Sequence, residues 1–229
     1  MIVTIHQPNF LPWLGFFHKM AQTDVMVLLD IVPFTKGGYQ NRASVASPQG
    51  EKWLTVPVLT RGRQGQSTAS VEINNTAPWR KKIVSSLKQW YADAPGMETA
   101  APLIDIISQD GWERLTDLNI RLLEEMKDIL GIETQLVKAS EMNVSGTRSE
   151  LLANICRDLK ADIYLSGPSG RDYLDHECFG NVNVMFHKFE HPEYNQLYGR
   201  FIPGLSAIDL LMNTGRDART VLFGASKEA

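Results

Sequence analysis

An α/β fold built on a mostly parallel sheet is what this chain predicts, and three observations predict it. Short apolar runs recur as strands, at Ile2-Val3-Thr4-Ile5, Val25-Met26-Val27-Leu28-Leu29-Asp30, Thr134 to Val137, Asp162 to Ser166 and Val182 to Phe186. Helical periodicity separates most of them. The first two runs are joined by a short helical stretch, the signature of a right-handed βαβ unit with parallel strands. At 229 residues with 43% hydrophobic residues, the chain can bury a sizeable core.

The elements follow in order. Pro12 to Gln22 reads as a helix, with Pro12 suited to its first turn. After the second strand the composition changes. Phe34 to Arg42 is a polar, glycine-containing loop, and Ala43 to Val45 and Trp53 to Val58 form strands about a Pro48-Gln49-Gly50 turn. Arg61 to Gln66 is a basic loop, and Val71-Glu72-Ile73 closes a small β segment. Residues 35–75 therefore read as a β-rich insertion on the first βαβ unit. Residues 78–131 form a helical segment. Trp79, Ile83, Val84, Leu87, Trp90 and Tyr91 share one face, as do Trp112, Leu115, Leu118, Leu122, Met126 and Ile129, and Gly131 is placed to stop the second helix. Thr147 to Leu159 and Ser206 to Asn213 are further helices, the last opening on Ser206. No linker or repeat divides the chain, so one domain spanning residues 1–229 is expected.

Composition narrows the function classes. A net charge of −3 offers no basic excess for a nucleic-acid backbone. No apolar run reaches 18 residues, so no transmembrane helix is expected. Without a leader-like N-terminus, and with only Cys156 and Cys178, a reducing, cytoplasmic setting is the expectation.

The first strand ends in His6-Gln7-Pro8-Asn9-Phe10-Leu11-Pro12-Trp13. Ligands of α/β sheets gather at the carboxyl ends of strands, and helix N-termini attract anions. His6 is therefore a candidate general base, with Asn9 or Asp30, at the end of the second strand, to orient it. A plainer alternative makes Asn9 a helix cap and Asp30 a turn cap. Gln7 and Trp13 flank the motif, and Trp13 is placed to stack on a sugar or base. Lys36, Tyr39, Asn41 and Arg42 offer donors to an anion, or else form a solvated loop. Ser166-Gly167-Pro168-Ser169-Gly170 follows another strand, so Ser166, Gly167 and Ser169 are candidates to cradle a phosphate, although the loop lacks the P-loop spacing. His191, Tyr194 and Gln196 are placed to close over the site. Asp209 is expected to complement a helix dipole, or to face the site. The spacing of His176, Cys178, His187 and His191 does not match common zinc sites, so no metal and no cofactor are expected.

Taken together, His6 to Trp13, Tyr39-Gln40-Asn41-Arg42, Tyr164-Leu165-Ser166-Gly167 and Phe201-Ile202-Pro203-Gly204-Leu205-Ser206 resemble the WbqC-like family across nearly the whole chain. Members of that bacterial family often lie in O-antigen or other surface-polysaccharide clusters. The resemblance implies glycan or metabolite modification, with acyl or aminoacyl (glycyl) transfer to a sugar nucleotide or a small amine or hydroxyl acceptor. It also implies an acyl or aminoacyl carrier as a partner. A more distant likeness is to nucleotidylyltransferases with a HUP-like fold, which place His-x-Gly-His after their first strand. Here Pro8 and Asn9 stand at the Gly and second His, and Pro has no N–H to donate. Three readings follow: an acyl or aminoacyl transferase, a non-catalytic sugar-nucleotide or partner-binding module, and a nucleotidyl or adenylyl transferase.

Overall fold

The computed structural model describes residues 1–224. Its centre is a five-stranded parallel sheet of β1 (Ile2–His6), β2 (Val25–Leu28), β5 (Gln135–Lys138), β6 (Ile163–Ser166) and β7 (Asn183–Phe186). Their spatial order is β5-β2-β1-β6-β7. Every neighbouring pair is parallel, with Val3 opposite Val25 and Ile2 opposite Ile163. The chain builds outward from β1 to β2 and β5, then returns to add β6 and β7 on the other side. This is a Rossmann-like α/β arrangement, and its direction reverses between β1 and β6.

Alternation along the strands divides the core in two. Val3 and Ile5 of β1, Val25 and Val27 of β2 and Tyr164 of β6 pack with Leu151, Leu152, Ile155 and Cys156 of α5 (Arg148–Asp158). Met26 and Leu28 face the other way, into a larger cluster with α1 (Leu14–Met20), α2 (Trp79–Trp90), α3 (Met97–Ser108), α4 (Leu115–Ile129) and α6 (Ala207–Thr214). A period of two on one element and 3.6 on the next is thus satisfied on both faces. A short helix α7 (Ala218–Phe223) closes the described chain. Among the described residues no helix is long and apolar enough to cross a membrane.

The β-rich segment is a separate antiparallel hairpin, β3 (Arg42–Ser47) and β4 (Gly50–Thr55), with Ala43 opposite Leu54. Val71 to Ile73 does not extend it. It contributes only isolated bridges, Val58 to Ile73 and Glu72 to Arg114. Within the helical segment expected over residues 78–131 the structure adds α3 as a separate helix, with Pro95 and Gly96 before it and Pro102 inside it. Gly96 has a packing reason. A Cβ at that position would lie 1.9 Å from the Leu211 carbonyl, so only glycine lets α3 start against α6. Gly131, at φ 60°, ends α4 as its position predicts. Ser206 does cap α6, its hydroxyl accepting the Ile208 N–H at 3.3 Å. Asn9, by contrast, caps nothing: α1 begins after Trp13, with no side-chain cap.

Candidate functional site

A cavity of about 620 Å³ opens at the carboxyl ends of β1 and β6, where the strand order reverses. That volume lies within the range of small-molecule pockets, at the position where such sheets hold ligands. Its walls are Ile5, Leu29, Val32, Leu151 and Leu152, with Tyr164 and Tyr173. His6, Gln7 and Arg148 supply its basic and amide groups. The backbone enters α5 at Arg148 with φ 50°, a left-handed conformation that a non-glycine residue adopts at a cost of about 1–2 kcal/mol. The exposed Arg148 and the first turn of α5 therefore share the cavity rim, and both favour negative charge.

His6 is held neutral. Burial, helped by the nearby Lys19 ammonium, lowers its pKa to about 3, against a smaller opposing effect of its bond to Gln7. Its Nδ1 lies 2.9 Å from the Gln7 carbonyl oxygen. A carbonyl can only accept, so the proton sits on Nδ1 and Nε2 is bare. The ring also packs edge-on against Phe16 at 4.8 Å. Neither expected orienting group is its partner. Asp30 is buried and spends both carboxylate oxygens on Ser140, on its N–H at 2.9 Å and its hydroxyl at 2.6 Å. It pins the turn after β5, and not the turn that follows it in the chain. Asn9 lies instead in a neighbouring crevice with Trp13, Tyr39, Gly204 and Ser206, where only about 10 Å³ is free.

That crevice explains much of the distinctive sequence. Leu11 has φ 42° and a fully buried side chain. The strained turn is stapled from outside: Ser206 Oγ donates to the Leu11 carbonyl at 2.7 Å, and the Ala207 N–H to Pro12 at 2.7 Å. Phe10 N–H donates to the Tyr39 carbonyl at 3.1 Å. Asn119 of α4 donates to Pro8 and Gln40 carbonyls at 2.9 and 2.8 Å. The motifs at 8–13, 39–42 and 201–206 thus meet and brace one another.

The remaining candidates are scattered. Lys36 and Ser169 are exposed and outside the cavity lining. Asn41 donates to the Val56 carbonyl at 2.9 Å, and Arg42 stacks on Trp53, 4.3 Å from its ring centroid. Ser166 is buried, its hydroxyl 3.2 Å from the Gly167 carbonyl, so it offers no free donor to a ligand. Tyr194 donates to Asp209 at 2.7 Å, and Gln196 exchanges hydrogen bonds with the Ile202 backbone at 3.0 and 2.8 Å. Like His191, whose Nδ1 faces the Pro192 carbonyl at 3.2 Å, these residues fasten their own segment and do not line the cavity. Asp209 is an internal anchor, not a dipole complement: it also accepts from Tyr91, Asn213 and the Ala46 N–H. Among the described residues no group of three or more His, Cys, Asp or Glu side chains is placed to hold a metal.

Sequence reasoning missed Arg148 and Tyr173 of the cavity lining, and the burial of Lys19. The first was within reach, since a crossover helix between parallel strands must begin at their carboxyl edge. Lys19 lies in the last turn of α1, where the sequence analysis assigned it no role. Yet Phe16, Phe17 and Met20 around it leave that helix buried on nearly all sides, and Lys19 with it.

Fold and site together define an α/β protein with an open cavity at the carboxyl edge of its parallel sheet. The model of the WbqC-like protein family matches residues 7–221, and the chain belongs to that family. It is also 34% identical over 220 residues to the uncharacterised protein Rv1507c of Mycobacterium tuberculosis, across 94% of this chain and 95% of that one. No solved structure matches it.

Proposed function

We propose that the cavity between β1, β6 and α5 binds an anionic small molecule, and that the protein transfers an acyl or aminoacyl group from such a donor to an amine or hydroxyl. One observation carries the reading: a pocket of about 620 Å³ at the strand reversal, apolar in its walls and cationic at its rim. Apolar walls suit the body of a nucleoside or acyl chain, and Arg148 with the α5 N-terminus suits a phosphate or carboxylate. In acyl transfer the acceptor attacks the carbonyl, the bond to the carrier breaks, and the acceptor's proton leaves on the departing carrier group. His6 contributes its bare Nε2 as a hydrogen-bond acceptor that orients the attacking N–H or O–H. At a pKa of about 3 it is a better positioning group than a proton acceptor near neutral pH.

The low basicity of His6, together with a cavity lining that holds no carboxylate or thiol, favours a second reading: a sugar-nucleotide binding module that presents its ligand to a partner. A thermal-shift panel of nucleotides, sugar nucleotides and acyl donors on the wild type, Arg148→Ala and His6→Ala tests both. Wild type should be stabilised by one ligand class, by about 2.7 kcal/mol at a hundredfold excess over Kd. Arg148→Ala should lose that effect. Binding followed by acyl turnover in a mass-spectrometric assay supports transfer. Binding without turnover on any acyl donor selects the module. A ligand that stabilises Arg148→Ala as well as wild type rejects the site.

A further inference from the structure

The net charge of −3 conceals a division. Residues 35–66 carry five basic side chains and one acidic one, Glu51 beside the hairpin turn, while the rest of the chain is net negative. That segment holds the Tyr39 loop, the β3–β4 hairpin and the basic loop at 61–66. The Phe34 N–H donates to the Gln66 carbonyl at 2.9 Å, which holds the basic loop beside the start of the Tyr39 loop. Lys36, Lys52 and Arg61 are exposed and form no ion pair among the described residues.

Exposed aromatic rings adjoin these cations. Tyr39 is 59% exposed, Trp53 42% and Trp13 36%. Tyr39 and Trp53 have ring centroids 5.9 Å apart, Arg42 lies 4.3 Å over Trp53, and Tyr39 and Trp13 line the one crevice beside the strained Leu11 turn. Exposed apolar residues scattered singly are ordinary, but three adjoining rings mark a surface that meets something. Asn9 lines the same crevice. Its side chain is only 7% exposed, makes no hydrogen bond among the described residues and is not sealed from solvent, so its amide is free at the crevice. Asn41 Oδ1 and Arg42 Nε, in the adjoining segment, are buried without a partner. No acid lines the crevice. With about 10 Å³ free, it admits one projecting polar group, and a flat ring must lie on its rim. Leu11, at φ 42°, stands between Asn9 and Trp13 in the chain. Strain of that kind persists where the surroundings over-determine it, and it gathers at ligand clamps.

We propose that this aromatic and basic shelf docks an unpaired strand of nucleic acid. Bases stack on Trp13, Tyr39 and Trp53, and Lys36, Lys52 and Arg61 meet the phosphates. The Asn9 amide offers a donor and an acceptor to the edge of a base lying over the crevice. Every base has a π-face, so such stacking tolerates any sequence, and a duplex hides the faces that the shelf needs. An acidic peptide would match the charge but leave the ring faces wet. The shelf lies outside the cavity, and the proposal stands without the cavity reading.

Fluorescence anisotropy of a short labelled single-stranded RNA tests it, over a range of salt, with a duplex of the same sequence and poly-glutamate as competitors. Wild type should bind the strand in preference to the duplex. Tyr39→Ala and Trp53→Ala should each weaken binding by about five- to a hundredfold. Arg61→Ala should reduce the salt slope by about one. Arg148→Ala should bind as wild type does. Melting temperatures check the fold of Trp53→Ala, and if it unfolds the more exposed Tyr39 decides alone. No binding by wild type at low salt overturns the proposal, as does equal affinity for the duplex or undiminished binding by Tyr39→Ala. Poly-glutamate that displaces the strand at equal charge overturns it by assigning the surface to an acidic protein. A loss in Arg148→Ala overturns it by moving the strand to the cavity.

Discussion

Asp209 and Lys19 are both ionisable side chains sunk into the helical face of the sheet, and the chain treats them in opposite ways. Asp209, wholly buried on α6, accepts from two tyrosine hydroxyls, a backbone N–H and an asparagine amide. Lys19 on α1 buries nearly all of its chain, makes no hydrogen bond or ion pair among the described residues, and keeps its Nζ within reach of solvent. Burial raises the pKa of Asp209, and its four donors act against that rise. Burial lowers that of Lys19 to about 8, with nothing opposing. A fully satisfied buried carboxylate is a structural rivet. An ammonium whose stem is buried and whose tip reaches the surface keeps its hydration only in part, and the lowered pKa records that cost.

The largest effect should come from removing the rivet. In Asp209→Ala, Tyr91, Tyr194 and the Ala46 N–H lose their acceptor together. Orphaned buried donors and a small void should lower unfolding stability by about 3–5 kcal/mol. Urea unfolding measures it. A loss below 1 kcal/mol would mean that the tyrosines find other partners and that the network is incidental.

Lys19→Met should act in the opposite direction. Replacing the unpaired ammonium with an apolar chain should stabilise the ligand-free protein at pH 7 by about 1–4 kcal/mol. Its pH dependence separates this from a mere packing gain. Lys19 titrates near 8 in the folded protein and near 10.5 unfolded. Below about 8 both states are charged and the full burial penalty is felt. Between 8 and 10.5 the folded state sheds its proton first, so the penalty fades. The gap between variant and wild type should therefore be widest below pH 8 and close towards pH 10.5, in urea melts at each pH. The depressed histidines predict the companion trend. His6 and His187 sit near 3 and 4 against 6.5 unfolded, so wild-type stability should decline as pH falls below 6.5.

The same contrast shows what a sequence carries. The strands and their parallel order were legible, because each is a short apolar run and the helices between them keep their own period. The place of the first strand's end was legible, because topology alone brings His6 to the reversal of strand order. The partners of single polar residues were not. Asp30 stands two residues beyond β2 and close to β1 in the sheet, yet its oxygens go to Ser140, 110 residues away. Tyr194 read as a lid over the site because it follows His191, but its hydroxyl reaches back to Asp209. The spacing of polar residues along a chain has no period that fixes which of them meet. Apolar positions do have one, and that asymmetry left Lys19 and Asp209 indistinguishable from ordinary helix charges.

The smallest expected effect probes the loop between these two regions. Lys36 is exposed and ion-paired to nothing among the described residues, in a stretch where Tyr39 is 59% exposed. Lys36→Ala should change stability by less than about 0.5 kcal/mol. Because it lies outside the cavity lining, affinity for the panel ligand should also hold within about twofold, a difference of about 0.4 kcal/mol. Isothermal titration on the two proteins decides it. If affinity drops tenfold with stability intact, residues 35–42 fold over the occupied cavity and Lys36 reaches the ligand from a loop that closes only when it is bound.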